Sequence, residues 1–248
     1  MAKLFEKTEL LNIDKHKDLK WYCLKGDCKP SSSCCYLPKR SSIVLAEMPI
    51  LAKHFPIVFV LVKNPDENQP PWKEINVFLK IEEDEGRCTF LDLEKGCVLG
   101  PEKPLACKQY PFSIAVDANK GVKVINVDLT CPGFNTEKGE AVLLNDSINQ
   151  YYMTDFITPA DILFENRKQT QEFIETMFNY NLVVPVEYRY QGLAVKFNAI
   201  DESKLYELPK ETLKDFQTRG YMRYIYLHLN SLDNMKKLID KYLSEKQS

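Results

Sequence analysis

The sequence predicts an α+β protein: a loop-rich, metal-thiolate-centred N-terminal half with short strands, then a helical C-terminal half with one β-hairpin. Three observations point there. All eight cysteines lie between Cys23 and Cys131. Around Gln191–Gly192, Val186, Tyr188 and Tyr190 alternate on one side and Val195 and Phe197 on the other, a hairpin pattern. From Pro209 onward, apolar residues recur at helical spacing.

In chain order, residues 1–22 read as a lead-in, partly helical at LFEKTELL. In CLKGDCKPSSSCC (Cys23–Cys35), Gly26, Pro30 and the serines 31–33 oppose regular structure, so this is a loop. IVLAEMPILAKHF predicts a helix over 43–55, interrupted or capped at Pro49, and IVFVLV predicts a strand. KNPDENQPPW (63–72) is a loop by its three prolines. Ile75, Val77, Leu79 and Ile81 alternate as in a half-buried strand. CTFLDLEKGCVL predicts a tight two-stranded turn at Glu94–Gly96. Prolines at both ends of PLACKQYP suit one helical turn that opens at Pro104 and stops before Pro111. KGVKVINVDL predicts a strand.

Beyond Pro132 the texture changes. Residues 139–156 and 167–181 look helical, and the hairpin follows. In the last stretch Tyr221, Tyr224, Ile225, His228, Leu232, Met235, Ile239 and Tyr242 form one apolar stripe. A soft boundary therefore falls at about residue 140, giving a cysteine-cluster metal-binding region over 1–140 and a helical/hairpin module over 141–248.

Composition narrows the function. The net charge of −2 offers no global basic field for nucleic acid or an anionic membrane. The longest apolar run, FPIVFVLV, is far short of the ~20 residues of a membrane-spanning helix. The N-terminus shows no apolar signal-peptide core, which predicts a cytoplasmic address. There, thiols stay reduced, and a chain of 248 residues needs no disulfides to hold a core. Structural cysteines would also scatter through both halves. Metal ligation explains the gathering best, with Cys23, Cys28, Cys34, Cys35, Cys88, Cys97, Cys107 and Cys131 as candidate ligands. Four thiolates complete a tetrahedral zinc site or hold one four-iron cluster. The spacing is C-x4-C-x5-C-C, then C-x8-C-x9-C, then a distant Cys131–Pro132. It lacks the short knuckles of structural zinc and ends in the Cys-Pro step of ferredoxin-type runs. Neighbours Cys34 and Cys35 point to opposite sides of an extended chain, so they serve different roles.

CLKGDCKPSSSCC, CTFLDLEKGC, KPLACKQYPF and CPGF together resemble the YkgJ-type cysteine-cluster proteins, a zinc- or iron-chelating family, over about residues 23–134. The first segment has longer spacings than that family's CxxCxxCC, and Lys103 and Lys108 stand where it has arginines. The resemblance implies metal binding. Some relatives are regarded as iron–sulfur proteins, and a larger related group methylates lysines, but no GxGxxG-like cofactor loop is visible in this chain. Residues 180–240 bear a weaker similarity to the C-terminal part of SapC-type proteins: an Ile-Asp-Glu segment, a Gly-aromatic step and a His-Leu-x-Ser-Leu element. That likeness implies a module recognising a partner protein or peptide.

Several other residues read more plainly. His228 lies on the apolar stripe and reads as core; His16 and His54 lie near the cluster in sequence but are weak ligand candidates. Glu82–Glu85 is a solvated turn without the glycine of a calcium loop. Lys25, Lys29, Arg87 and Lys108 flank thiols and offset thiolate charge, or are ordinary surface cations. Tyr110 and Phe112 shield the centre or pack. Tyr188, Tyr190, Tyr206, Tyr221, Tyr224 and Tyr226 read as packing ahead of a binding surface. The expectation is an iron–sulfur protein holding one [4Fe–4S] cluster, acting in electron transfer or in modification of a partner polypeptide. The alternatives are a Zn²⁺-stabilised interaction module and a metal-handling protein.

Overall fold

The computed structural model describes residues 10–12, 18–23, 34–36, 40–63, 73–81, 87–92, 94–117, 119, 121–135, 137–145 and 147–246. In chain order, β1 (Leu10–Asn12), β2 (Lys20–Trp21) and β3 (Arg40–Ile43) lead to a 3₁₀ turn at Leu45–Glu47 and the short α1 (Met48–Leu51). Next come β4 (Phe59–Lys63), β5 (Lys73–Phe78), β6 (Leu91–Asp92), β7 (Gly96–Cys97), α2 (Leu105–Gln109), β8 (Phe112–Asp117) and β9 (Val122–Asp128). Three stubs follow: β10 (Glu140–Ala141), β11 (Leu143–Leu144) and β12 (Ser147–Ile148). The helical turn α3 (Gln150–Tyr152) continues through a π-turn at Met153–Ile157 into α4 (Thr158–Asn179). After the hairpin strands β13 (Val183–Tyr190) and β14 (Leu193–Ile200) come α5 (Glu202–Tyr206), α6 (Lys210–Thr218), α7 (Tyr221–Leu232) and α8 (Met235–Lys246). The α+β class holds. Among the described residues, no helix is long and apolar enough to cross a membrane.

The chain divides into two compact units that interleave in sequence. One comprises Met1–Lys39 and Glu82–Glu165; the other comprises Arg40–Ile81 and Asn166–Ser248. This differs from a contiguous boundary near residue 140, and strand pairing supplies the reason. Residues of β3, β4 and β5 join the hairpin in one antiparallel sheet, ordered β13-β14-β4-β5-β3. A local reading of periodicity cannot see a partner so far along the chain.

In the second unit the hairpin turns through Gln191 and Gly192, both with left-handed φ (47° and 80°), as a two-residue loop matching strand twist requires. Strand β5 lies inside the sheet. Ile75, Asn76, Val77 and Phe78 are all buried, so both faces are covered where the alternation predicted one. On one face, Val58, Val60, Phe78, Val195, Phe197 and Ala199 pack with Met235, Leu238, Ile239 and Tyr242 of α8. Helix α7 is stitched to two strands. His228 Nε2 accepts from the Ile200 N–H (3.0 Å), and Ser231 Oγ accepts from the Phe59 N–H (3.0 Å). His228 is thus a core histidine, as its place on the stripe suggested.

The first unit holds the sheet β1-β9-β8 and the paired stubs. Its core gathers around Trp21, with Phe112, Val127, Cys131, Val142, Tyr152 and Ile157. Several expectations change here. Leu10–Asn12, read as part of a helical lead-in, pairs instead with Asn126–Asp128, while residues 4–9 lie outside the described residues. Residues 43–55 form the end of β3, a 3₁₀ turn and one turn of helix, because Val44 is extended and the Glu47 carboxylate caps its N–H at 2.9 Å. Residues 139–156, read as helix, form three stubs before α3 begins. Gly139 (φ 127°) and Asn145 (φ 51°) break any helix, and Asn149 caps the next one through Tyr151 N–H. Strand β8 was not foreseen.

Candidate metal centre

Each described thiol is set by a short element of the first unit. Cys88 is buried ahead of β6, and its N–H bonds the Cys35 carbonyl at 2.7 Å, tying the early cysteine turn (34–36) to the hairpin. Cys97 sits on β7 opposite Leu91, so the tight turn at Glu94–Gly96 brings it back toward Cys88. Asp92 Oδ1 holds that turn by accepting from the N–H groups of Glu94 and Lys95, both at 2.9 Å. Cys107 lies in α2, where its N–H bonds the Pro104 carbonyl at 2.8 Å. Cys23 follows β2, and Cys131 follows β9.

The electrostatics bring these positions together. The hydrogen bond with Cys35, then desolvation and the charges of Cys35, Cys107 and Cys23, hold Cys34 well above the usual thiol range. The Cys34 residue surface is exposed while its sulfur is crowded by those groups. The same hydrogen bond lowers Cys35 to about 7, opposed by partial burial and helped by Lys103. Burial pushes Cys88 up, and Cys107, Cys35 and Cys97 add to the effect against a bond from Phe90 N–H. Cys34 thus feels Cys35, Cys107 and Cys23, and Cys88 feels Cys107, Cys35 and Cys97, with Cys35 and Cys107 common to both. Tyr110 touches the edge of this group: burial raises its phenol first, followed by the charges of Asp128, Cys131 and Cys34.

Cys131 is held differently. The Trp21 Nε1–H donates to its sulfur at 3.3 Å, inside the aromatic core. Phe156 meets Trp21 edge-on at 4.7 Å and Phe112 at 5.4 Å. Gly133 allows this approach, since a Cβ there would lie 2.4 Å from both Trp21 Nε1 and the Tyr22 carbonyl. The Tyr152 hydroxyl donates to the Trp21 carbonyl at 2.5 Å and also bonds the Glu140 carbonyl at 2.8 Å.

His54 and His228 belong to the second unit. Cys28, His16, Lys25, Lys29 and Glu82–Glu85 lie outside the described residues. Lys103 beside Cys35 and Trp21 on Cys131 were not singled out by residue-level reasoning. Lys103's only signal was its place in the KPLAC segment. The donors are all sulfur, which fits a soft metal or an iron–sulfur cluster. Among the described residues, no three His, Cys, Asp or Glu groups stand close enough to hold an ion as they are.

The molecule is therefore an α+β protein of two units, one of which bears every described cysteine. The chain matches the SapC family model over residues 11–238 and belongs to the SapC family. The match runs through the cysteine region as well as the C-terminal stretch, so the SapC likeness first seen over 180–240 extends over nearly the whole chain. It gives no support to the YkgJ resemblance. No curated protein and no solved structure matches the chain.

Proposed function

We propose that the cysteine-bearing unit holds a metal centre, an iron–sulfur cluster of the [4Fe–4S] type, and that the protein works in a reducing compartment, in electron transfer or in modification of a partner polypeptide. What supports this reading is that Cys35 and Cys107 each act on both Cys34 and Cys88, with Cys23 acting on Cys34 and Cys97 on Cys88. Cys34 and Cys88 are held as neutral thiols by burial and by their neighbours, and a cation shared among these sulfurs, whether a zinc ion or the irons of a cluster, would favour their thiolate forms. Cys34, Cys35, Cys88 and Cys107 are the central ligand candidates, Cys23 and Cys97 join them, Cys28 remains a candidate from the sequence, and Cys131 sits where Trp21 holds its sulfur. A bound cluster supplies one-electron chemistry. Around it, Lys103 offsets thiolate charge at Cys35, and Tyr110, Phe112 and Trp21 exclude water on the core side.

A zinc reading has one feature in its favour. Cys88 and Cys97 flank a tight two-stranded turn, a shape that a zinc ion could close for folding alone. The two readings share a test. Cys88→Ser and Cys107→Ser, purified anaerobically, are expected to lose most of the bound metal relative to the parent protein. Full metal content in both variants would remove the ligand assignment.

A further inference from the structure

The second unit carries a cleft that the thiols do not explain. Among the described residues, β14 and β4 share a single ladder pair, Asn198↔Leu61, while β13–β14 and β4–β5 are zipped along their lengths. Toward Lys196 no further pair joins β14 to β4, and the Lys196 carbonyl instead accepts from Arg40 Nη2 at 3.0 Å, although Arg40 belongs to β3, two strands past β4. The Arg40 guanidinium reaches there across the Phe78 ring, 4.4 Å from its centroid. A cleft of about 440 Å³ takes in this break and extends along β14 to Pro185, Val186 and Glu187 of β13. Its lining includes consecutive residues of each strand, Leu61 and Val62 on β4 and Lys196 and Phe197 on β14. Consecutive strand residues face opposite ways, so the cleft opens at the seam of the sheet and not on one face.

We propose that this seam receives an extended peptide segment carrying a carboxylate side chain. The backbone argues for a strand: the ladder stops at one pair, and a side-chain N–H of Arg40 meets the Lys196 carbonyl where a strand's amide would. Apolar Leu61, Val62 and Phe197 offer contacts to alternate side chains of such a segment. Charge selects the acid. Arg40 and Lys196 bring two cations to the cleft, while the carboxylate of Glu187 on the same lining is engaged by Arg189 at 2.9 Å. This proposal is independent of the metal centre, since every lining residue lies in the second unit.

The test uses the full chain and a fluorescein-labelled, terminally blocked peptide of alternating valine and glutamate, followed by fluorescence anisotropy. Saturable binding is expected, about tenfold weaker for Arg40→Gln or for Lys196→Glu. The same peptide with methylated backbone amides, and a valine–lysine counterpart, are expected not to bind. Lys196 is exposed, so its variant keeps the test open if Arg40→Gln fails to fold. No saturable binding of the valine–glutamate peptide overturns the proposal. So does equal binding of the methylated peptide, or affinity unchanged in the folded variants.

Discussion

Two single residues illustrate how much one side chain decides. Gly133 stands against Trp21 and the Tyr22 carbonyl, so a methyl group there must displace either the indole or backbone. Gly133→Ala is expected to cost about 3 kcal/mol of stability by urea unfolding, the upper range for overpacking. It should also blue- or red-shift the emission of Trp21; an unchanged midpoint would mean that the Trp21 pocket is not tight. His228 acts through charge. Burial lowers it to about 4 from an imidazole's usual 6.5, opposed by the Phe59 backbone, and its Nδ1 has no hydrogen-bond partner among the described residues. The folded state therefore resists protonation while the unfolded state accepts it. This contribution to stability is fully present above pH 6.5 and is lost as pH falls toward 4, amounting to about 3 kcal/mol at most. His228→Gln can still accept from the Ile200 N–H and should flatten that acid slope in urea midpoints measured across this window. Equal slopes in both proteins would show that His228 is not the group responsible.

At the level of elements, the hairpin offers the cleanest test. A Cβ at Gly192 meets nothing within 4 Å, yet its φ is +80°. Gly192→Ala should therefore cost about 1 kcal/mol through backbone conformation alone, read as a small fall in urea midpoint. The hairpin, the two-stranded turn bearing Cys97, the single helical turn bearing Cys107 and the C-terminal helices were legible because their signals are local: alternation, a Gln-Gly pair, flanking prolines and one apolar stripe. Residues 139–156 were not. Their apolar content suits a helix, but the partners of β10 are Lys20 and Trp21, far back in the chain. Nor did the alternation at Ile75–Ile81 reveal that Ile75, Asn76, Val77 and Phe78 are all buried, since the α8 residues that pack with Phe78 come much later. The candidate site was legible as a set of residue types. Its grouping in one region was legible too; what the sequence did not reveal is that residues 40–81, between the early and late thiols, carry strands of the other sheet. Cys131 was legible as a thiol but not as the acceptor of an indole N–H, a contact made across 110 positions of the sequence.

The chain forms two units that interleave in sequence, so a cut at one residue does not separate them. A chain ending at residue 140 keeps all eight cysteines but loses Val142, Tyr152 and Ile157 from the core around Trp21. It also loses Ala141, the ladder partner of Lys20. Such a fragment is expected to give little soluble protein and no near-ultraviolet signature of packed aromatics. A well-folded fragment would mean that residues 1–140 form a self-sufficient domain after all. Deletion within the second unit bears on a different sheet and on the peptide cleft. The central claim remains the metal centre, and its most direct test is anaerobic purification of the full chain with its visible spectrum and analysis for iron, acid-labile sulfide and zinc. The account predicts a brown protein with iron and sulfide in equal amounts. A colourless protein without iron would contradict it; zinc in stoichiometric amount would then assign the thiols to folding, and no metal at all would leave them without a shared role.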